Sequence, residues 1–144
     1  MKACSIDITS RCFIIVCLHT TEAGGYIGSD PMIKLEREIV TPVVLGEAVL
    51  KVLGAPQKVF SIPVDFKALT ERLVQFSGFK SWRSMYNATH AECIVEEKDQ
   101  NNLKITVLSE KEKGAFLPGT KKPMDSNKNA EAIGSALFRA FNIN

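Results

Sequence analysis

The chain has 144 residues, with 18 Lys and Arg against 16 Asp and Glu and a formal net charge of +2. This length fits one domain that buries roughly 70% of its unfolded surface, so folding requires no metal or disulfide. The hydrophobic fraction of 45% excludes a disordered chain, and the near-neutral charge argues against a protein that binds mainly nucleic-acid phosphates.

Cysteine usage predicts an intracellular protein without metal. The four cysteines, Cys4, Cys12, Cys17 and Cys93, form no C-x-x-C pair, and only two histidines accompany them. Zinc sites need clustered Cys and His ligands, so we predict no metal and no other cofactor. Free thiols in apolar, strand-like segments usually pack as small hydrophobic groups. We therefore expect reduced thiols and a cytoplasmic protein.

The apolar run at residues 12–18 is comparable to the core of a signal peptide. It has only seven residues, however, and Asp7 lies where a signal peptide is basic. Its β-branched residues favour a buried strand instead. No run approaches the ~20 apolar residues of a membrane span, so we predict neither secretion nor membrane insertion.

Three strand-like segments precede the first long helix. They are predicted at residues 3–9, 12–20 and 32–40, with a glycine-rich loop over 21–31 that has room for a short strand at 26–27. The third segment could also be helical, but Ile33, Leu35 and Ile39 recur at period two, which favours a strand. The helix then begins with Thr41 as N-cap and Pro42 at its first position, and it ends at Gly54.

The second half also runs from strands to a long helix. We predict a strand at 59–64, short helices capped by Asp65 and Ser81, strands at 90–97, 103–108 and 114–117, a polar stretch at 120–129 and a helix at 130–141.

The two long helices match each other at an offset of 88 residues without a gap. Residues 45–53 and 133–141 share an aliphatic–Gly–x–Ala pattern that aligns Gly46 with Gly134. Glycine inside a helix costs about 1 kcal/mol relative to alanine, so its recurrence predicts a close approach there by a strand or by the other helix. A chance match of two amphipathic helices is the alternative.

The predicted fold class is therefore α+β, with helices packed on antiparallel sheets in the order strands–helix–strands–helix. The pseudo-repeat divides a single domain, residues 1–144, into halves at about 1–55 and 57–144.

No group of residues predicts a catalytic site. His19 and His90 lie at predicted strand ends, where structural or solvated histidines are common. Cys17 precedes His19 by two residues, but its apolar surroundings favour a buried, inert thiol over a nucleophile. The glycines near residue 25 lack the Gly-Lys-Ser/Thr of a P-loop. We predict no catalytic residue and no enzyme.

Charged residues cluster in the second half. Acidic residues on the predicted hairpin form a local patch: Glu92, Glu96, Glu97 and Asp99. A basic tract contains Lys111, Lys113, Lys121, Lys122 and Lys128. Its only aromatic residue is Phe116, whereas proteins that bind single strands interleave basic and stacking residues. A solvated surface is the simpler interpretation of both clusters.

Several short sequence motifs occur in an order that is typical of a known protein family. They are Leu45 to Leu50, Gly78 to Trp82, the strands at 88–97 and 103–108, Gly114 to Pro118, and Asn129 to Phe141. From about Ile33 onward, the chain resembles the immunity proteins of bacterial contact-dependent growth inhibition systems. The shared phrases are packing motifs, so no functional residue carries over from the family.

This resemblance implies a cytoplasmic antidote that binds the toxic C-terminal domain of a cell-surface effector, commonly a nuclease that cleaves tRNA or other RNA. We expect a 1:1 complex, with no small-molecule substrate and no direct contact with nucleic acid or membrane. The resemblance also implies a Whirly-like fold, with two antiparallel four-stranded sheets and packed helices.

An antidote needs a rigid surface complementary to its toxin, often acidic where the toxin binds RNA phosphates. The residues predicted to bind the toxin are Glu92, Glu96, Glu97 and Asp99, with Trp82 and Tyr86 as aromatic anchors. The simpler interpretation is a core tryptophan and solvated acids.

Two competing hypotheses remain at the level of the sequence. A Whirly-type module that binds single-stranded nucleic acid would show exposed aromatic residues and salt-dependent binding. A small enzyme would show a pocket with perturbed titratable groups near His19, His90 or Cys17.

Overall fold

A seven-stranded sheet runs through the centre of this computed structural model. The structure describes residues 2–108, 110–112, 115–117 and 123–143. For residues 110–112 and 115–117 it describes the backbone only. The strands are β1 (Ala3–Thr9), β2 (Cys12–Thr21), β3 (Tyr26–Glu36), β4 (Val59–Phe60), β5 (Thr89–Glu97), β6 (Asn102–Leu108), β7 (Glu110–Glu112), β8 (Ala115–Leu117) and β9 (Met124–Asn127). The helices are α1 (Pro42–Leu53), α2 (Phe66–Ser77), α3 (Trp82–Ala88) and α4 (Ala130–Ala140).

The strand order in the sheet is β3-β2-β1-β5-β6-β9, with every neighbouring pair antiparallel. Short β4 pairs in parallel with the end of β2, and β7 and β8 form a separate hairpin. The predicted α+β class and the order strands–helix–strands–helix are confirmed. No helix among the described residues is long and apolar enough to cross a membrane.

The two four-stranded sheets implied by the family resemblance are replaced by one sheet because β1 pairs with β5. This pairing runs from Ala3 opposite Glu96 to Thr9 opposite Thr89. Both strands place apolar residues on the same face, so the pairing extends one continuous apolar surface across the two halves.

Each face of the sheet packs against a different pair of helices. The main core lies between the sheet and the pair α1 and α4, and its largest fully buried members include Phe13, Ile15, Leu45, Leu103, Ile133 and Leu137. A smaller cluster lies beneath α2 and α3 on the other face and contains Cys12, Ile14, Val16, Phe79 and Met85. All four cysteines are free and buried.

The predicted close approach at the helical glycines is confirmed, and the second helix makes it. A Cβ on Gly46 would lie 1.9 Å from the carbonyl oxygen of Ala130, and a Cβ on Gly134 would lie 1.7 Å from that of Pro42. The contact is reciprocal because Pro42 and Ala130 begin the two helices. The helices therefore cross in their first turns, where only glycine fits.

The predicted helix caps at Thr41, Asp65 and Ser81 are present, and Asn129, which was not predicted as a cap, begins α4 in the same way. The side chains of Thr41, Asp65 and Asn129 accept hydrogen bonds from backbone amides three residues later, at 3.3, 3.0 and 2.9 Å. Ser81 and Ser84 form a reciprocal capping box at the start of α3. The αL conformation of Gly78, at φ 82°, ends α2.

Four element predictions were inaccurate. The turn before β3 is confined to residues 22–25, because pairing with β2 continues to Tyr26 through a register shift. Ile39 lies in a turn and is 74% exposed, so it does not share the buried face of Ile33 and Leu35. The predicted strand at 59–64 stops at Phe60. The polar stretch predicted at 120–129 contains a strand, β9, which is held in place by pairing with β6.

Candidate functional site

The alternation of side chains along β5 places Glu92 and Glu96 on the sheet face opposite α1 and α4. Their neighbours Cys93 and Val95 are fully buried in the main core. Glu92 and Glu96 are half-buried, and Ile94 lies between them on the same face. The two carboxylates share this face with α3, which leads directly into β5.

Glu96 is held by two neighbouring side chains. Its Oε2 accepts a hydrogen bond of 2.8 Å from the Tyr26 hydroxyl, and its Oε1 lies 3.9 Å from Lys104 Nζ. Partial burial, together with the bond to Glu96 and its charge, raises the pKa of Tyr26 to about 12. The tyrosine therefore stays a neutral donor across the physiological pH range.

Glu97 and Asp99 stabilise local structure. Glu97 forms an ion pair and hydrogen bond with Lys128, just before α4. Asp99 Oδ1 accepts hydrogen bonds from the Asn101 backbone amide at 2.8 Å and from Asn102 Nδ2 at 3.1 Å. These bonds, led by that of Asn101, hold the pKa of Asp99 below its usual value. Binding of a partner by either residue stays a prediction.

Trp82 and Tyr86 form an aromatic pair one turn apart on α3. Their ring centroids are 4.8 Å apart and their planes differ by 13°. Trp82 is 41% exposed, because the buried position of this helix is filled by Met85. Trp82 is therefore a surface residue, and its role as an anchor stays a prediction.

Asp7 is a buried carboxylate beside Glu92 that the sequence reasoning did not single out. It lies directly opposite Glu92 in the β1–β5 register and is only 7% exposed. Its Oδ1 is buried without a hydrogen-bond partner. Burial, followed by the charge of Glu92 and a hydrogen bond with it, raises the pKa of Asp7 well above its usual value. The signal in the sequence was a carboxylate between two isoleucines, Ile6 and Ile8, within a predicted strand.

His19 joins three chain segments. It is 1% exposed, and its Nδ1 accepts a hydrogen bond of 2.9 Å from the Lys58 amide. This leaves Nε2 as the donor to the Asp30 carbonyl oxygen at 2.8 Å. The ring also stacks on Phe60, with centroids 5.7 Å apart. His19 therefore has a structural role.

Cys17 and His90, the other two residues considered for catalysis, lie in different surroundings. Cys17 is buried, and its burial raises the pKa of its thiol, as predicted for an inert cysteine. His90 is exposed beside a cavity of about 400 Å³ that Arg37 and Asn142 also line. Among the described residues, no carboxylate or thiol lines this cavity. No group of three His, Cys, Asp or Glu side chains is placed to hold a metal in the described part of the chain.

The basic tract is described only at its end. The structure does not describe the side chains of four of its lysines, Lys111, Lys113, Lys121 and Lys122. Residues 114 and 118, which bound the segment Gly114 to Pro118 of the family resemblance, also lie outside the described residues. Lys128 is engaged by Glu97.

No protein-family model matches this sequence, and the search of curated proteins also found no match. Solved structures that share its fold include the following two. A protein of unknown function from Neisseria meningitidis aligns with a TM-score of 0.76 at 16% identity, over 98% of this chain and 93% of the other. A chain of the CdiA-CT/CdiI toxin and immunity complex from Yersinia pseudotuberculosis aligns with a TM-score of 0.61 at 14% identity, over 98% and 95% of the two chains.

Proposed function

We propose that this protein is an immunity protein that binds and blocks the toxin domain of a contact-dependent growth inhibition effector. The observation that carries this proposal is the likeness in fold, over 98% of the chain, to a chain of a toxin and immunity complex. The protein would act in the cytoplasm, in a 1:1 complex, and by occupying a surface rather than by catalysis.

A ribonuclease is the toxin class that suits the surface of β5 and α3. An RNA-cleaving domain must present cationic groups to phosphates, so an acidic surface complements it. Glu92 and Glu96 provide such a surface, and the adjoining helix carries the exposed ring of Trp82 stacked on Tyr86. Aromatic residues at the centre of an interface commonly provide much of its binding energy.

The first experiment co-expresses this chain with the toxin domain encoded immediately upstream of its gene. We expect rescue of growth and co-purification of a stoichiometric complex. Unchanged growth arrest without a complex would contradict the proposed function. Binding of a single-stranded oligonucleotide at low salt would then favour the nucleic-acid module.

A second experiment locates the interface. Trp82→Ala should weaken the complex at least tenfold, because it removes a large exposed anchor. Phe66→Ala is the matched control, because Phe66 is a 64% exposed aromatic residue at the start of the neighbouring α2. Affinity unchanged by Trp82→Ala, measured by calorimetry, would remove α3 from the interface.

A further inference from the structure

Asp7 and Glu92 form a carboxylate pair on neighbouring strands in the interior of the sheet. Asp7 lies between Glu92 on β5 and Ile14 on β2, at directly opposed positions. Asp7 is almost completely buried, whereas Glu92 is half-buried. The pair therefore has one partly exposed carboxylate beside one that is buried.

No described cationic side chain is paired with these two carboxylates. On the β2 side Asp7 lies opposite the apolar Ile14. Ile14 belongs to the smaller hydrophobic cluster, which also contains Met85 of α3. On β6 the residue opposite Glu92 is the apolar Leu108, and the cation of that strand, Lys104, lies against Glu96. The Oδ1 atom of Asp7 remains buried without a donor.

Such an arrangement is unfavourable in the free protein. The hydrogen bond between Asp7 and Glu92 requires one of the two carboxyl groups to hold a proton, and the buried Oδ1 atom of Asp7 lacks the hydrogen bond that it makes in water. A group that brings positive charge and several N–H donors relieves both penalties at once. Lysine and arginine side chains are such groups.

We propose that Asp7 and Glu92 form the receptor for a lysine or arginine side chain of the toxin domain, an inference that rests on the proposed function. The cation would meet the half-buried carboxylate of Glu92 first and then the unpaired oxygen of Asp7. Within the interface, this pair would bind one cationic side chain at a defined position.

Neutral isosteres test the site. Asp7→Asn and Glu92→Gln keep the shape of each side chain and remove its charge. The affinity for the toxin domain is measured by calorimetry at pH 7.5, beside the urea midpoint of each free variant. We expect each substitution to weaken the complex at least tenfold while the midpoint stays unchanged or rises. Glu71→Gln, an exposed carboxylate on α2, is the control for net charge and should change affinity less than twofold.

The split between affinity and stability distinguishes a receptor from a structural role, which would lower the midpoint. If Asp7→Asn fails to fold, Glu92→Gln still provides the test.

The outcomes separate the two proposals. Folded variants that bind as tightly as the wild-type chain would overturn the receptor and leave the immunity function intact. A wild-type chain that forms no complex would overturn the immunity function itself.

Discussion

The charge of Asp7 has a cost that pH can reveal. Its raised pKa means that the folded state binds more protons than the unfolded chain between the usual carboxyl pKa and the raised one. The stability that depends on this group is present below the usual pKa and is lost as pH rises through the raised pKa. Asp7→Asn should therefore increase the free energy of unfolding at pH 7.5 by about 1 kcal/mol.

Urea unfolding at several pH values between 4 and 8 checks this prediction. The difference between Asp7→Asn and the wild-type chain should grow with pH, whereas Glu71→Gln should give a small and constant difference. A variant that is less stable at pH 7.5, with the pH slope of the wild-type chain, would contradict it.

His19 provides a second prediction for a single residue. His19→Ala leaves the Lys58 amide and the Asp30 carbonyl without their side-chain partner and removes the ring stacked on Phe60. We expect a loss of about 2 kcal/mol in the free energy of unfolding, measured with urea. His90→Ala is the control, because His90 is exposed, and it should change stability by less than about 0.5 kcal/mol. Equal effects of the two substitutions would refute a structural role for His19.

The roles of these residues depend on distant partners, which limits what sequence could predict. His19 bonds to residues 11 and 39 positions further along the chain. Asp7 becomes unusual because the fold buries it and the register places Glu92 opposite it. The burial of Cys17, in contrast, follows from the local apolar run and was predicted correctly.

Single elements were predictable wherever a local rule determines them. The caps at Thr41, Asp65 and Ser81 require only nearby side chains and backbone amides. Strand β9 and the full length of β3 were not predictable, since pairing with β6 and β2 fixes them.

At the glycines of α1 and α4, tertiary packing and helix propensity predict opposite effects on stability. Propensity alone predicts that Gly46→Ala and Gly134→Ala stabilise their helices by about 1 kcal/mol. The structure predicts the opposite sign, because each new Cβ would meet a backbone carbonyl of the other helix within 2 Å. We expect each substitution to lower the free energy of unfolding by about 3 kcal/mol.

Circular dichroism during urea unfolding measures this effect. Gly54→Ala is the matched control, since Gly54 ends α1 with right-handed φ and its Cβ would lie 3.3 Å from the nearest atom. Its stability should be unchanged or slightly raised. Stabilisation by Gly46→Ala would show that the two helices do not cross in this way.

At the scale of the whole molecule, the pseudo-repeat stays a prediction from the sequence, and the sequence does not indicate how the two predicted halves connect. The offset of α1 and α4 predicted two related halves, and the crossing of these helices is one connection between them. The β1–β5 pairing is the other, and it makes one sheet from strands of both halves. No local pattern in β1 distinguishes this partner from another apolar strand.

This double connection predicts that the two halves unfold together. Trp82 is the only tryptophan and lies in the second half, so its fluorescence reports on that half, whereas far-UV circular dichroism reports on the whole chain. We expect coincident urea transitions from the two probes in the wild-type chain. Gly46→Ala, in the first half, should shift the Trp82 transition as far as the circular dichroism transition, because the damaged contact and the sheet joint belong to one cooperative unit. A Trp82 transition that stays in place while the circular dichroism transition moves would show two independently stable halves.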